Sequence, residues 1–154
     1  LVSGILSEDG PPGKIVDWIM NGHLQVCFNS KIFAEYESVL RRPELFLPDL
    51  VVANLLAQIV SAGATVSGGV SIEPLPDPTD EAFLETALAG SAEGLITGNL
   101  RHFPISCRQG MRVFSPREFL DFYREQQAGG PGKVQSPSAR YRSKRLLKKK
   151  RSRR

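Results

Sequence analysis

The chain reads as short apolar runs separated by turn signals, and the spacing inside each run predicts the element it builds. Ile15, Val16, Ile19 and Met20 recur at helical spacing after Glu8-Asp9-Gly10-Pro11-Pro12-Gly13, so a helix starts at that turn and stops at Gly22. Leu24–Phe28 is an expected strand. Ser30 is placed to cap a helix with Ile32, Phe33, Tyr36, Val39 and Leu40 on its apolar face, and Pro43 ends it. The next helix is expected from Leu50 to about Ser61, closed by Gly63, and Val70–Glu73 is an expected strand. After Pro78 a helix places Phe83, Leu84, Ala87 and Leu88 in one stripe. Expected strands at Leu95–Thr97 and Met111–Phe114 follow. Ser115-Pro116-Arg117-Glu118 then fits a capping box ahead of a helix carrying Phe119, Leu120 and Tyr123. Strands alternating with helices indicate an α/β domain with a largely parallel sheet.

Charge divides the chain in two. Residues 1–127 hold nine basic and all sixteen acidic groups, a net charge of −7, whereas residues 128–154 hold eleven basic groups and no acid. The expectation is an acidic folded domain over 1–127 and a basic, disordered tail over 128–154, the tail lacking apolar periodicity and repelling itself. Such a tail attracts polyanions without showing that the domain grips one. Cys27 and Cys107 form neither a disulfide framework nor a thiolate–metal spacing, so a reducing cytoplasm is expected. The longest mostly apolar stretch, Leu50 to Val60, is far short of a membrane span.

Candidate chemistry centres on Asp80. At helical spacing Asp80 projects into the middle of the stripe of Phe83, Leu84, Ala87 and Leu88, while Glu81 and Glu85 turn away from it. A carboxylate aimed at a core is costly unless it is hydrogen-bonded or bound to a cation. Asp80 lies close in sequence to a strand that ends in Gly98-Asn99, and ligands collect at such strand ends in open α/β sheets. A hard-metal site is one reading. The other is local: Asp77 as N-cap, Pro78 as first helical residue and Asp80 as third, an acid favoured by the helix dipole. Glu35 and Glu37 flank the stripe of the Ser30 helix, and helical geometry does not choose between them. Asn99 is a neutral oxygen ligand or a turn residue; Arg101 and His102 are loop residues or contacts to a substrate phosphate.

Three segments, SKIFAEYESVLRRPEL, PDPTDEAFLETALAGSAEGLITGNLRHFP and RVFSPREFLDFY, resemble in order and spacing the PIN-domain family. Their branch comprises toxins of bacterial type II toxin–antitoxin pairs. The resemblance implies a three-layer sandwich with a central, mostly parallel sheet flanked by helices. It implies Glu35 and Asp80 as catalytic, metal-binding acids, with Asp77 and Asn99 as further ligands of Mg²⁺ or Mn²⁺. Arg101 and His102 would contact substrate. The implied activity is endoribonucleolytic hydrolysis of RNA, restrained by a cognate antitoxin protein, and the implied assembly is a homodimer.

Two departures from the family pattern bear on activity. The family opens with an apolar strand ending in Asp-Thr-Asn just ahead of a segment like LVSGIL, and this chain starts with Leu1 in that segment. The expectation is a sheet without its first strand and an impaired site. The basic tail is the second departure. It supports a competing function, a non-catalytic nucleic-acid-binding protein that acts through the tail.

Overall fold

The computed structural model describes residues 2–6 and 9–128; the expected tail lies outside the described residues from 129 onward. Proline in a first helical turn loses no intrahelical hydrogen bond, so Pro11 and Pro12 open a helix at no cost. After α1 (Val2–Leu6), helix α2 (Pro11–Met20) therefore starts at Pro11, and Gly22 turns the chain with φ 72°. Helix α3 (Ser30–Leu40) is capped one residue earlier than expected: the Asn29 side chain accepts the Ile32 N–H at 2.9 Å. Asn29 also donates to the Thr86 hydroxyl at 3.0 Å, so one side chain both caps α3 and binds a later helix. Helix α4 (Asp49–Ala62) follows. The chain then passes through α5 (Glu81–Ala89) to α6 (Pro116–Ala128). The expected capping box opens α6: the Ser115 N–H donates to Glu118 Oε2 at 2.7 Å and the Glu118 N–H to Ser115 Oγ at 3.3 Å. These bonds hold the Glu118 carboxyl below its usual range.

The strands are shorter than their apolar runs suggest. β1 (Cys27–Phe28) pairs in parallel with β2 (Ala64–Thr65), and β3 (Leu95–Ile96) with β4 (Val113–Phe114). No strand forms at Val70–Glu73, whereas β2 arises at two residues whose own sequence carries no strand signal. Pairing, not local preference, makes β2: the Ala64 N–H donates to Val26 O at 2.8 Å and the Val66 N–H to Phe28 O at 2.7 Å. Parallel neighbours require a crossover, supplied by α3 and α4 between β1 and β2 and by residues 97–112, with two 3₁₀ turns, between β3 and β4. The class is α/β, but the described residues form two separate two-stranded sheets instead of one. Backbone groups alternate in direction along a strand. Leu95 and Thr97 donate toward β4, so the Ile96 peptide faces the other way; Val26 and Phe28 accept from β2, so Cys27 likewise faces away. Among the described residues each sheet thus keeps an open edge, and both β1 and β3 pack on α5.

Two apolar clusters lie on either side of α5. The larger joins Ile15, Ile19, Phe28, Ile32, Leu55, Ile59 and Leu120 with Ala82 of α5. The smaller joins Leu75, Phe103, Met111 and Val113 with Leu84 and Ala87. Burying each large aliphatic or aromatic side chain contributes roughly 1.5–3 kcal/mol, so these contacts fix where α5 lies. Gly63 sits at the close approach of α4 to β1. A Cβ there would lie 2.9 Å from Val26 O and 2.8 Å from the Phe28 ring. Backbone cannot yield as a side chain does, so Gly63→Ala is expected to cost about 1–3 kcal/mol in urea unfolding.

Candidate metal centre

The site is built from two single turns of 3₁₀ helix, and that geometry explains its composition. In a 3₁₀ helix residues i and i+3 eclipse, whereas in an α-helix they diverge. Pro78–Asp80 is such a turn, N-capped by Asp77, so Asp77 and Asp80 fall on one side. Leu100–His102 is another, with Asn99 at its N-cap position, so Asn99 and His102 also stack. The two turns meet. His102 Nδ1 lies 2.6 Å from Asp80 Oδ2 and 3.6 Å from Asp77 Oδ2, and His102 Nε2 lies 2.6 Å from Asn99 Nδ2. One ligand atom from each of Asp77, Asp80 and His102 falls within 4.8 Å of the others.

These contacts are mutually consistent for a neutral imidazole protonated on Nδ1. The Nδ1–H donates to Asp80, leaving the Nε2 lone pair to accept from the Asn99 amide. Asp77 accepts the Thr79 hydroxyl at 2.7 Å and the Thr79 N–H at 3.0 Å. Those two bonds, in that order, hold its carboxyl below the ordinary aspartate value. A depressed folded value stabilises the fold above the unfolded value, and that contribution is lost as pH falls through the folded one. Thr79→Val removes the hydroxyl, so the Asp77 midpoint is expected to rise toward the ordinary range in a carboxyl NMR titration.

Buried neighbours hold both turns. Leu75, 5 % exposed, anchors the approach to Asp77, and Phe103, 2 % exposed, anchors the residue after His102. The Arg108 side chain donates to Phe103 O at 2.7 Å. Glu81 does not turn out to water as its spacing suggests: it is half-buried and accepts the Leu75 N–H at 3.2 Å. Asp80 differs too. It ends the 3₁₀ turn and precedes α5, so it does not project into the stripe, where Leu84 and Ala87 are buried. Its side chain is 25 % exposed and aimed at His102.

Of the residues expected at a site, the structure brings together Asp77, Asp80, Asn99 and His102. Glu35 is exposed on α3 and outside this group; α3 meets α5 through Tyr36 and Phe83, whose ring centroids are 6.0 Å apart. Burial, with a lesser push from Cys27, raises the Tyr36 hydroxyl to about 12, so it stays protonated and offers no base at neutral pH. Arg101 is exposed between Asn99 and His102. Sequence reasoning placed His102 beside substrate and missed its bond to Asp80; the Asn99–His102 spacing of three was the signal available.

Two carboxylates, an imidazole and an amide suit a divalent cation: the oxygens satisfy a hard ion, and the nitrogen favours Mn²⁺ over Mg²⁺. No helix among the described residues is long and apolar enough to cross a membrane. No curated protein and no solved structure gives a significant match to the chain. The family model described as PIN domain matches residues 1–101, which includes Asp77, Asp80 and Asn99 and stops just before His102. By that match over most of its length, the chain belongs to the PIN-domain family.

Proposed function

We propose that this chain is a metal-dependent endoribonuclease with its metal centre at Asp77, Asp80 and His102. Membership of the PIN-domain family carries nuclease-type activity, divalent-metal use and an RNA substrate as general properties. The observation that carries the reading is the convergence of two carboxylates and an imidazole from separate turns within 4.8 Å. When bound there, a divalent cation supplies Lewis acidity toward the phosphodiester and acidifies water. Asp77 and Asp80 would hold it. His102 orients Asp80 through the 2.6 Å contact, or offers its nitrogen. Asn99 would turn its amide oxygen inward as a neutral ligand. Exposed Arg101 is suited to a substrate phosphate, and Glu35 is a second catalytic acid, from the helix that packs on α5.

The split between the two sheets would accommodate a further apolar strand between β1 and β3, and an aspartate at the end of such a strand would add a ligand to the centre. What supports this is the split sheet, with Cys27 and Ile96 facing away from their partners while both strands pack on α5. We place the protein in the bacterial cytoplasm as the toxin of a toxin–antitoxin pair, held by an antitoxin protein. Cleavage of labelled single-stranded RNA with Mn²⁺, and again after chelation, tests the reaction class. Cleavage that survives chelation would exclude it. The segregated charge favours one second reading, polyanion binding through residues 128–154 without catalysis. Such binding should weaken steeply with salt and vanish when the tail is deleted.

A further inference from the structure

An arginine carries its N–H donors in a flat, rigid fork, so one that is fastened at a single donor presents the others in a fixed direction. Arg108 is held in this way. Its Nε donates to Phe103 O at 2.7 Å, and Phe103 directly follows His102, so the guanidinium is tied to the turn that carries the metal centre. The backbone of Arg108 is fixed as well. The Met111 N–H donates to Arg108 O at 2.9 Å, and the chain turns there through Gln109 at φ 49° and Gly110 at φ 84°. The left-handed region is costly for a residue with a side chain, and such conformations gather where a fold positions a group. The Gln109 side chain adds a further tie, donating to Ser71 O at 3.1 Å.

The N–H groups on the terminal nitrogens of Arg108 meet no protein acceptor among the described residues. Glu118, held low chiefly by its bonds to Ser115, also feels the Arg108 charge, but the two side chains form no ion pair. A staple for the loop needs one donor, which a lysine or a glutamine supplies. A half-buried guanidinium with an unused fork fits an acceptor that arrives from outside. The surrounding charge gives the sign of that acceptor. Residues 94–117 hold four arginines and no acid, in a body whose net charge over 1–127 is −7. An anion is favoured there, and the non-bridging oxygens of a phosphodiester match parallel N–H groups. We propose that Arg108 binds a phosphate of the RNA strand beside the metal centre, an anchor for the substrate backbone that rests on the ribonuclease reading above. Arg101 makes no side-chain hydrogen bond among the described residues, so Arg108, not Arg101, sets the position of the strand.

A dinucleoside monophosphate tests the contact on the metal-free, 154-residue chain. Its single phosphodiester draws little from the eleven basic groups of the tail, whose attraction grows with the number of phosphates neutralised. In proton–nitrogen NMR spectra, the arginine Nε–H signal that Arg108→Lys removes is expected to shift saturably with the probe. The signal that Arg112→Lys removes should stay in place; Arg112 belongs to the same basic stretch but is exposed and lies over the Phe122 ring at 5.3 Å. By phosphorus NMR titration, Arg108→Lys should raise the dissociation constant of the probe roughly fivefold or more, since an ammonium keeps the charge without the fork. Arg112→Lys should leave it unchanged. The His102 and Asn99 amide signals should also be unchanged in Arg108→Lys, because a lysine can still reach Phe103 O. An Arg108 signal unmoved by the probe overturns the proposal, as does equal affinity in Arg108→Lys. A loss of affinity that comes with displaced His102 and Asn99 signals overturns it too, because Arg108 then only holds the turn. Failure of the wild type to bind Mn²⁺ counts against the metal centre alone, since the probe is titrated without metal.

Discussion

Replacing Asp80 by Asn is expected to weaken Mn²⁺ binding by at least roughly tenfold, a loss already typical of groups that only support a ligand. The amide keeps the size of the carboxylate and removes its charge, leaving Asp77 as the single anionic member of the Asp77–Asp80–His102 group. An asparagine oxygen can still accept from His102 Nδ1, but without the charge that strengthens the 2.6 Å contact. Glu81→Gln is the matched control. Glu81 lies beside Asp80 but faces Leu75, and a glutamine carbonyl can still accept the Leu75 N–H. Its effect should stay within a few-fold. Calorimetric titration of Mn²⁺ into both variants checks the comparison, and equal losses would overturn the assignment of Asp80 as the ligand.

Joining an apolar strand that ends in Asp-Thr-Asn ahead of Leu1 is expected to raise metal-dependent RNA cleavage by on the order of a hundredfold or more, and to raise the melting temperature as well. Two carboxylates and neutral donors are a sparse charge complement for hard cations that repel each other at close range. An added aspartate supplies charge, and its strand supplies position. The strand has somewhere to go: among the described residues β1 and β3 each leave an edge unpaired at half-buried Cys27 and Ile96, and both rest on α5. Filling those edges would satisfy backbone groups that otherwise invite aggregation. Adding the same strand with Asn in place of Asp separates the two gains. It should recover stability but not cleavage, and cleavage that recovers equally would remove the added carboxylate from the mechanism.

Helices were legible in the residues because their ends are chosen locally. Pro11 opens α2 by its fixed backbone angle, whereas Gly63 closes α4 and the Ser115–Glu118 box opens α6 through bonds among residues a few positions apart. Where two neighbours compete for one role the residues misled: Ser30 was expected to cap α3, and Asn29 took the cap. Strands were legible only in part. A strand exists through its partner, so the apolar run Val70–Glu73 stayed irregular while Ala64–Thr65 was drawn into pairing by Val26 and Phe28.

The sequence alone determined an α/β class and an acidic body, and it offered Asp77, Asp80 and Asn99 as candidate groups near a strand end. It also carried the family resemblance that the PIN-domain match over residues 1–101 establishes. The tertiary structure decided which of those groups meet. Whether Asp77 and Asp80 eclipse depends on a 3₁₀ turn prevailing over an α turn, a difference small enough for packing to settle. Whether His102 reaches Asp80, twenty-two residues earlier, depends on Leu75 and Phe103 being buried in one cluster with Leu84. Those are long-range contacts, and periodicity along a chain reports only which side of an element is apolar, not which element comes to lie against it.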